Sequence, residues 1–110
     1  MDTTFHLGIF SKEKLLGVCS FFKANNANIP ESSQYQLRGM AVLNEFQGKG
    51  LGHHILNFGE QIIKKKNTKI VWCNAREVAV NFYRKNGYRI TGEPFIIETI
   101  GLHFVMYKML

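Results

Sequence analysis

The stretch RGMAVLNEFQGKGLG, residues 38–52, decides how this chain folds. Its apolar run from Met40 to Leu43 has the character of a buried strand, and glycine then recurs at positions 48, 50 and 52. From Leu51 onward the apolar residues follow helical spacing. A strand, a glycine-rich turn and a helix in this order direct several backbone N–H groups toward one point, where the helix dipole adds positive potential. The stretch therefore predicts an anion site of the kind that binds phosphate.

A glycine-rich turn that binds nothing is the competing interpretation, because short glycine patterns recur by chance. Glycine allows a tight turn and lets a phosphate approach the backbone closely. Other phosphate motifs fit poorly, since there is no Gly-x4-Gly-Lys-Ser/Thr. The spacing Gly48-x-Gly50-x-Gly52 also lacks the Rossmann pattern and its later acidic residue. The loop alone leaves both interpretations open.

Length and composition indicate one globular domain, which we expect to span residues 1–110. Hydrophobic residues make up 45% and charged residues 20%, which excludes a disordered chain. The net charge of +6 suits nucleic acid, a membrane surface or an anionic small ligand. Apart from Lys64 to Lys66 the basic residues are scattered, and no apolar run reaches the roughly 20 residues that span a bilayer. We therefore expect neither nucleic acid nor a membrane as a partner.

The two cysteines indicate whether the protein works in a reducing or an oxidising compartment. Cys19 and Cys73 fall in apparent strands without CxxC spacing, and residues 2–4 are polar instead of forming a basic and then apolar signal segment. We expect two buried thiols in a reduced, cytoplasmic protein, without a disulfide framework or zinc site. His53 and His54 are adjacent and point in different directions, so they cannot share a metal through helical i,i+4 spacing. No metal is expected.

The apolar pattern predicts the order β-β-β-α-β-α-β-β. This order corresponds to an α/β domain with a mixed, α+β-type sheet. The predicted strands are 5–10, 15–22, 35–43, 69–73, 88–92 and 102–110, and the predicted helices are 51–66 and 75–86. The first two strands form an antiparallel hairpin around a polar turn. Residues 23–34, rich in Asn and Ser and containing Pro30, form a loop.

Both predicted helices are amphipathic. The apolar face of the first contains Leu51, Ile55, Leu56, Phe58, Ile62 and Ile63, and that of the second contains Val78, Ala79, Phe82 and Tyr83. Asn74 stands at the N-cap of the second helix, with Glu77 three residues later as in a capping box. Gly87 ends this helix, and Glu93 and Pro94 end the strand that follows.

Two motifs give the chain a family resemblance. Residues 47–52, QGKGLG, resemble the Gln/Arg-x-x-Gly-x-Gly/Ala signature of the GNAT superfamily of acyl-CoA-dependent N-acyltransferases. Residues 74–76 and 79–88 are similar to the family's second motif, which ends in Phe-Tyr-x-x-x-Gly-Phe/Tyr. The strand 40–42 is similar to the one that lies along the pantetheine arm, and residues 103–108 resemble the last strand of small bacterial-type members. Two motifs at the correct separation are more specific than either alone.

The resemblance implies a GNAT-like fold and an N-acetyltransferase. Such an enzyme would pass an acetyl group from acetyl-CoA directly to a primary amine, without a metal. The cofactor would lie in a cleft between the strand of Met40 and the strand that leads to Asn74, with its pyrophosphate on the glycine loop. The implied acetyl-CoA-binding residues are Met40, Ala41, Val42, Gln47, Gly48, Lys49, Gly50, Leu51, Gly52, Asn74, Asn81 and Tyr83.

Tyr83 is the implied general acid, which protonates the departing thiolate of CoA. A phenol, with an ordinary pKa of about 10, is a workable proton donor to that group. The alternative is that Tyr83 only packs with Phe82. Asn74 either contacts the pantetheine or caps the helix, and Asn81 either contacts the cofactor or is a solvated helix residue.

Glu45 and His103 are the candidates for the general base. Glu45 lies close to the glycine loop in sequence, and the alternative is a solvated turn residue. His103 lies in the C-terminal hairpin, which flanks the acceptor side in the family. A lone histidine on a strand is otherwise a packed core residue.

The chain departs from the family pattern at its N-terminus, where the strand and one or two helices that shape the acceptor pocket are expected. It lacks roughly the first 40 residues of a family-sized domain. A naturally short member, a dimer whose partner completes the pocket, and a fragment of a longer product all remain open. An exposed sheet edge and face promote association, so we expect a homodimer. The acceptor stays unassigned among small amines, antibiotics, polyamines and protein amines, and a non-catalytic acyl-CoA-binding or sensor module is the alternative function.

Overall fold

The computed structural model describes residues 4–110, so the polar opening at residues 2 and 3 lies outside the described residues. The elements are β1 Phe5–Ser11, β2 Lys14–Lys23, β3 Gln34–Val42, α1 Leu51–Lys65, β4 Ile70–Arg76, α2 Val80–Lys85, β5 Arg89–Ile97 and β6 Gly101–Met109. Short 3-10 turns lie at Asn44–Phe46 and Glu77–Ala79. The predicted order of strands and helices is confirmed.

The strands form one mixed sheet in the order β1-β2-β3-β4-β6-β5, in which β3 and β4 are parallel and all other neighbours are antiparallel. The parallel ladder is short and joins Gln34–Gln36 to Ile70–Trp72. Beyond it, β3 stays paired with β2 as far as Val42, and β4 stays paired with β6 as far as Arg76. The two central strands therefore diverge and leave a V-shaped opening in the sheet.

A β-bulge lies in β3 beside this opening. Between the pairs Ser20–Arg38 and Val18–Ala41, β3 contains one residue more than β2. Gly39 lies in this segment with φ of +67°, a conformation that costs glycine little and other residues more. The extra residue shifts the alternation of side chains, so that Met40 as well as Leu37 joins the core on the helical side.

The main core lies between the sheet and the two helices. Its fully buried side chains include Phe21 from β2, Leu56 and Ile63 from α1, and Met106 from β6. The contact between α1 and β2 is closest at Gly59, where an added Cβ would lie under 3.0 Å from the Phe21 ring. The close approach of α1 to the sheet therefore requires a glycine at this position.

A buried polar cluster ties α1 to the C-terminal strands. Glu60 is 4% exposed and accepts a hydrogen bond of 2.8 Å from the Tyr88 hydroxyl. Its other carboxylate oxygen pairs with Lys108 Nζ at 2.8 Å. Every oxygen of this buried carboxylate therefore has a partner, as a charge in the interior requires.

No described helix covers the opposite face of the sheet. At one end of this face, Ile29 of the loop after β2 packs on Ile70 and Trp72, and the Trp72 indole N–H donates to the Ala24 carbonyl at 2.8 Å. The other end lies beside the V-shaped opening and is exposed to solvent. We call this end, with Arg38 and Asn74, the open face.

The second helix begins later than predicted. β4 continues to Arg76, where Asn74 pairs with Val105 of β6, and a 3-10 turn separates the strand from α2. No side chain caps either the turn or the helix. The predicted N-cap at Asn74 and the capping box with Glu77 are therefore wrong, because the ladder with β6 holds this backbone extended.

Three further predictions are corrected. β5 does not end at Gly92 but passes Pro94 in a bulge, where the missing N–H interrupts no ladder bond. Phe58 is 61% exposed, beside a groove between α1 and β1. Val78 is 85% exposed, because it lies in the 3-10 turn where helical spacing does not apply.

Within residues 4–110 the longest helix is too short and too polar to cross a bilayer.

Candidate active site

A cavity of about 830 Å³ lies between the end of β3, the glycine loop and α2. It brings together predicted residues from two distant parts of the chain: Met40, Ala41, Val42, Gln47, Gly48, Gly50, Leu51, Gly52 and Tyr83. Arg76, Lys85 and His53 also line it, and its described lining contains neither Asp nor Glu. The cavity therefore favours an anionic ligand.

The glycine loop forms an anion cradle at one wall of the cavity. Gly48 and Gly50 have φ of +80° and +83°, and nothing lies within 4 Å of a Cβ built on either residue. Glycine is thus required by the backbone conformation and not by lack of space. The first helical hydrogen bond of α1 runs from His54 N–H to the Gly50 carbonyl, and no side chain caps the helix. The preceding N–H groups stay available to an anion.

Two predicted ligand residues instead brace the loop. The Gln47 side-chain amide donates to the Val42 carbonyl at 2.9 Å and to Asn44 Oδ1 at 3.2 Å. Both of its N–H bonds are occupied, so Gln47 shapes the cradle and has no donor left for a phosphate. Lys49 lies over the Phe46 ring at 5.5 Å and is not part of the cavity lining.

A hydrogen-bonded contact that sequence reasoning missed joins the two helices at the cavity. Asn86 Nδ2 donates to the Phe82 carbonyl at 2.9 Å, which leaves Oδ1 as the acceptor for His53 Nδ1 at 2.5 Å. A Cβ on Gly52 would lie 3.0 Å from Phe82, so the helices meet closely here. His53 and Asn86 are 33 positions apart in the sequence. The only sequence signal for their contact was that Asn86 lies in the second motif.

Tyr83 lines the cavity from α2 and is 7% exposed. Its ring packs edge-on against Phe82 and Tyr88, with centroids at 5.1 and 5.5 Å. Burial raises the pKa of Tyr83 well above its ordinary value, and negative charge on Cys73 and then Cys19 would raise it further. No partner within residues 4–110 accepts its hydroxyl proton in a hydrogen bond. The phenol therefore stays protonated at neutral pH and is free to donate to a ligand.

The two predicted thiols are buried in the main core. Cys19 and Cys73 are 1% and 2% exposed, and both are free. Burial raises the pKa of each thiol to about 12. Neither is a nucleophile at neutral pH, because the thiolate is the reactive form.

The two predicted asparagines lie outside the cavity. Asn74 is exposed on the open face, on the other side of β4 from Cys73 and Ala75 of the main core. Asn81 is exposed on α2. Their contact with a cofactor stays a prediction to which this geometry lends no support.

The two candidate bases also lie outside the cavity lining. The Glu45 side chain is 65% exposed and pairs with Lys14 at 3.8 Å. His103 is 4% exposed, stacks on Phe95 at 5.6 Å, and has Nδ1 within 2.9 Å of the Gly101 carbonyl. The structure therefore brings the implied acid to the cavity and neither candidate base.

Comparison with known proteins identifies the family of the chain. The sequence model of the acetyltransferase (GNAT) domain family matches residues 1–110. The chain belongs to the GNAT acetyltransferase family. It is accordingly an acyl-CoA-dependent acyltransferase of the N-acetyltransferase type.

This GNAT protein has relatives of known sequence and structure. It is 38% identical over 109 residues to the uncharacterized N-acetyltransferase YitI of Bacillus subtilis (strain 168), a match that spans 99% of this chain and 73% of the relative. An aminoglycoside 6'-N-acetyltransferase solved with coenzyme A has a TM-score of 0.80 at 13% identity, covering 96% of this chain and 72% of that one. The PaiA N-acetyltransferase of Thermoplasma acidophilum, also solved with coenzyme A, has a TM-score of 0.76 at 24% identity, covering 100% and 62%. At these identities the two structures establish the fold.

Proposed function

We propose that this GNAT protein passes an acetyl group from acetyl-CoA directly to a primary amine, with Tyr83 as the general acid. The observation that carries the proposal is a single cavity of about 830 Å³ that joins an anion cradle to the buried Tyr83.

The donor groups of the cavity fit coenzyme A. Free N–H groups at the start of α1 suit a pyrophosphate, and Arg76 and Lys85 add positive charge to a lining without described acids. The coenzyme A bound in two proteins of the same fold supports this assignment. Acetyl-CoA supplies the acetyl group, activated as a thioester.

The edge of β3 suits the extended arm of coenzyme A. Past Gln36 this edge has no partner among the described strands, so its N–H and C=O groups near Met40 face the V-shaped opening. Pantetheine contains two amides and can add to such an edge as a short strand would. This arm would lead from the cradle toward Tyr83.

Tyr83 acts at the leaving sulfur. The amine nitrogen attacks the thioester carbonyl carbon, so that the C–N bond forms and the C–S bond breaks. Tyr83 donates its proton to the departing thiolate, and CoA leaves as a thiol. The proton lost by the amine passes to solvent, which reprotonates Tyr83. The products are an acetamide and CoA, and neither Glu45 nor His103 takes part in this scheme.

Replacement of Tyr83 by Phe tests the proposal. We expect kcat for acceptor-dependent thiol release to fall by about 100-fold or more, because a positioned general acid contributes that much. The dissociation constant of CoA, measured by calorimetry, should change by less than about threefold, since the phenyl ring keeps its packing.

Tyr107→Phe is the matched control, because Tyr107 packs on the other side of the sheet. It should leave kcat unchanged. Unchanged turnover in Tyr83→Phe would exclude the general acid. Stabilisation by CoA without thiol release from any acceptor would instead identify a binding or sensor module.

We also propose a homodimer, as expected from the sequence. Phe10, Leu15 and Val18 are neighbours at one end of the β1–β2 hairpin and are 62%, 43% and 37% exposed. Adjacent exposed apolar side chains beside an edge strand favour association. Sedimentation across a concentration series should give the mass of a dimer, and a monomer at every concentration would contradict it.

A further inference from the structure

The V-shaped opening separates the ends of β3 and β4, which lie between the cavity and the open face. Tyr83 belongs to the same core cluster as Cys19 of β2 and Cys73 of β4, and it lines the cavity together with Met40 of β3. Met40 follows the bulge at Gly39, which in turn follows Arg38 directly. If CoA occupies the helical side, as under the proposed function on which this inference rests, an amine reaches the thioester from the open face.

The register of the strands places Arg38 beside the route of the amine. Arg38 and Asn74 each lie two residues past the last parallel pair, Gln36–Trp72. Two residues of strand span about 7 Å, so both side chains stand at the mouth of the opening. Ser20 pairs with Arg38 on β2, and Val105 pairs with Asn74 on β6.

Arg38 is held in position and keeps its donors free. Its guanidinium carbon lies 5.2 Å from the centroid of the Phe22 ring, a cation–π contact that orients the group. Phe22 also contacts His6 edge-on, and His6 Nδ1 lies 2.6 Å from Ser20 Oγ. Arg38 itself is exposed and forms no hydrogen bond or ion pair with another described side chain. A planar fork of N–H donors on an aromatic support suits a carboxylate.

The described strands nearest Arg38 offer no acidic group that would attract a polycation. None of the strands β1, β2, β3, β4 and β6 contains Asp or Glu within the described residues. A second positive charge on an acceptor would lie near Arg38 without a counter-charge from these strands, which disfavours polyamines.

We propose that the acceptor is a small amine that also carries a carboxylate, and that Arg38 binds this carboxylate at the mouth of the opening. Acetylation removes the positive charge of the amine and leaves the carboxylate on Arg38 unchanged. Arg38 is thus a specificity-determining residue that acts on the acceptor and not on CoA.

Amino acids paired with their carboxamides test the proposal, with spermidine as a polycation. The amine of a carboxamide is less basic, so more of it is neutral at pH 7.5, and chemical reactivity alone favours the amide. We expect kcat/KM to favour the acid by about tenfold or more, which corresponds to about 1.4 kcal/mol. Arg38→Gln should lower kcat/KM for the acid by about 30-fold, mainly through KM, and leave that for the amide unchanged.

Arg84→Gln is the control, because Arg84 is exposed on α2 and does not line the cavity. It should preserve the preference for the acid. Equal or better turnover of carboxamides or spermidine overturns the inference while the proposed function stands, and so does an equal loss for acid and amide in Arg38→Gln. Failure of CoA to bind the wild-type protein would instead overturn the proposed function.

Discussion

Glycine is required in this chain for two different reasons, and individual positions show which reason applies. Gly48 and Gly50 face open space and are needed for their positive φ. Gly52 and Gly59 have no positive φ and are needed for space, because an added Cβ would lie 3.0 Å from the Phe82 ring at Gly52 and under 3.0 Å from the Phe21 ring at Gly59. The first pair serves the ligand site and the second pair serves the packing of α1.

Gly50→Ala should cost about 1–2 kcal/mol of unfolding free energy, because φ of +83° is strained for alanine. It should also weaken CoA binding, since relief of the strain would move the free N–H groups of the cradle. Urea unfolding and calorimetry measure the two effects. Gly92→Ala is the control, with φ of +73° and equally open space in the β5 bulge. It should lower stability alone, and a wild-type affinity in both variants would contradict the cradle.

At the scale of elements, the position of α1 on the sheet decides the shape of the cavity, because α1 begins at the cradle. Its closest approach is at Gly59 over Phe21. The Glu60–Lys108 pair holds the same part of the helix to β6. Packing and a partly buried charge pair therefore hold the helix that begins at the cradle.

Gly59→Ala should lower the free energy of unfolding by about 1–3 kcal/mol, the usual cost of overpacking. Alanine favours a helix over glycine by about 1 kcal/mol, but the Phe21 ring must move, so the steric cost wins. Asn57→Ala, at an exposed position of α1, serves as the control and should be neutral or slightly stabilising. A Gly59→Ala protein at least as stable as wild type in urea would show that the helix can shift freely.

At the scale of the whole molecule, buried acids limit stability at high pH. The pKa of both thiols is raised to about 12, and burial raises that of Tyr83 and Tyr88, with Glu60 contributing at Tyr88. The unfolded chain loses its thiol protons near pH 9.0, whereas the folded chain keeps them. This contribution to stability is complete below pH 9 and is lost as the pH rises through the folded values.

Unfolding free energies measured in urea from pH 8 to 11 should therefore fall above pH 9. Each cysteine contributes a slope of about 1.4 kcal/mol per pH unit. Cys73→Ala should be less stable at pH 8 but should lose stability less steeply above pH 9. Parallel pH profiles for the variant and the wild type would contradict the raised pKa of Cys73. They would mean that this thiol loses its proton at the same pH in the folded and the unfolded chain.

The order of elements and the start of α1 followed from the sequence, because hydrophobic periodicity and the glycines at 48, 50 and 52 act over a few residues. The cradle was predicted from its glycines, whereas Tyr83 was singled out because residues 79–88 resemble the second motif of the GNAT family. Local signals failed where a partner from far along the chain decided the outcome. Asn74 has the chemistry of a cap, yet pairing with Val105 keeps it in a strand.

The tertiary structure alone decided what surrounds those motifs. The divergence of β3 from β4, the contact of His53 with Asn86 and the place of Arg38 at the opening all join distant segments. No local pattern encodes such pairings, because they depend on strand register and on which faces the helices cover. Backbone conformation within the glycine loop is a property of its own residues, whereas the cavity beside the loop is a property of the fold.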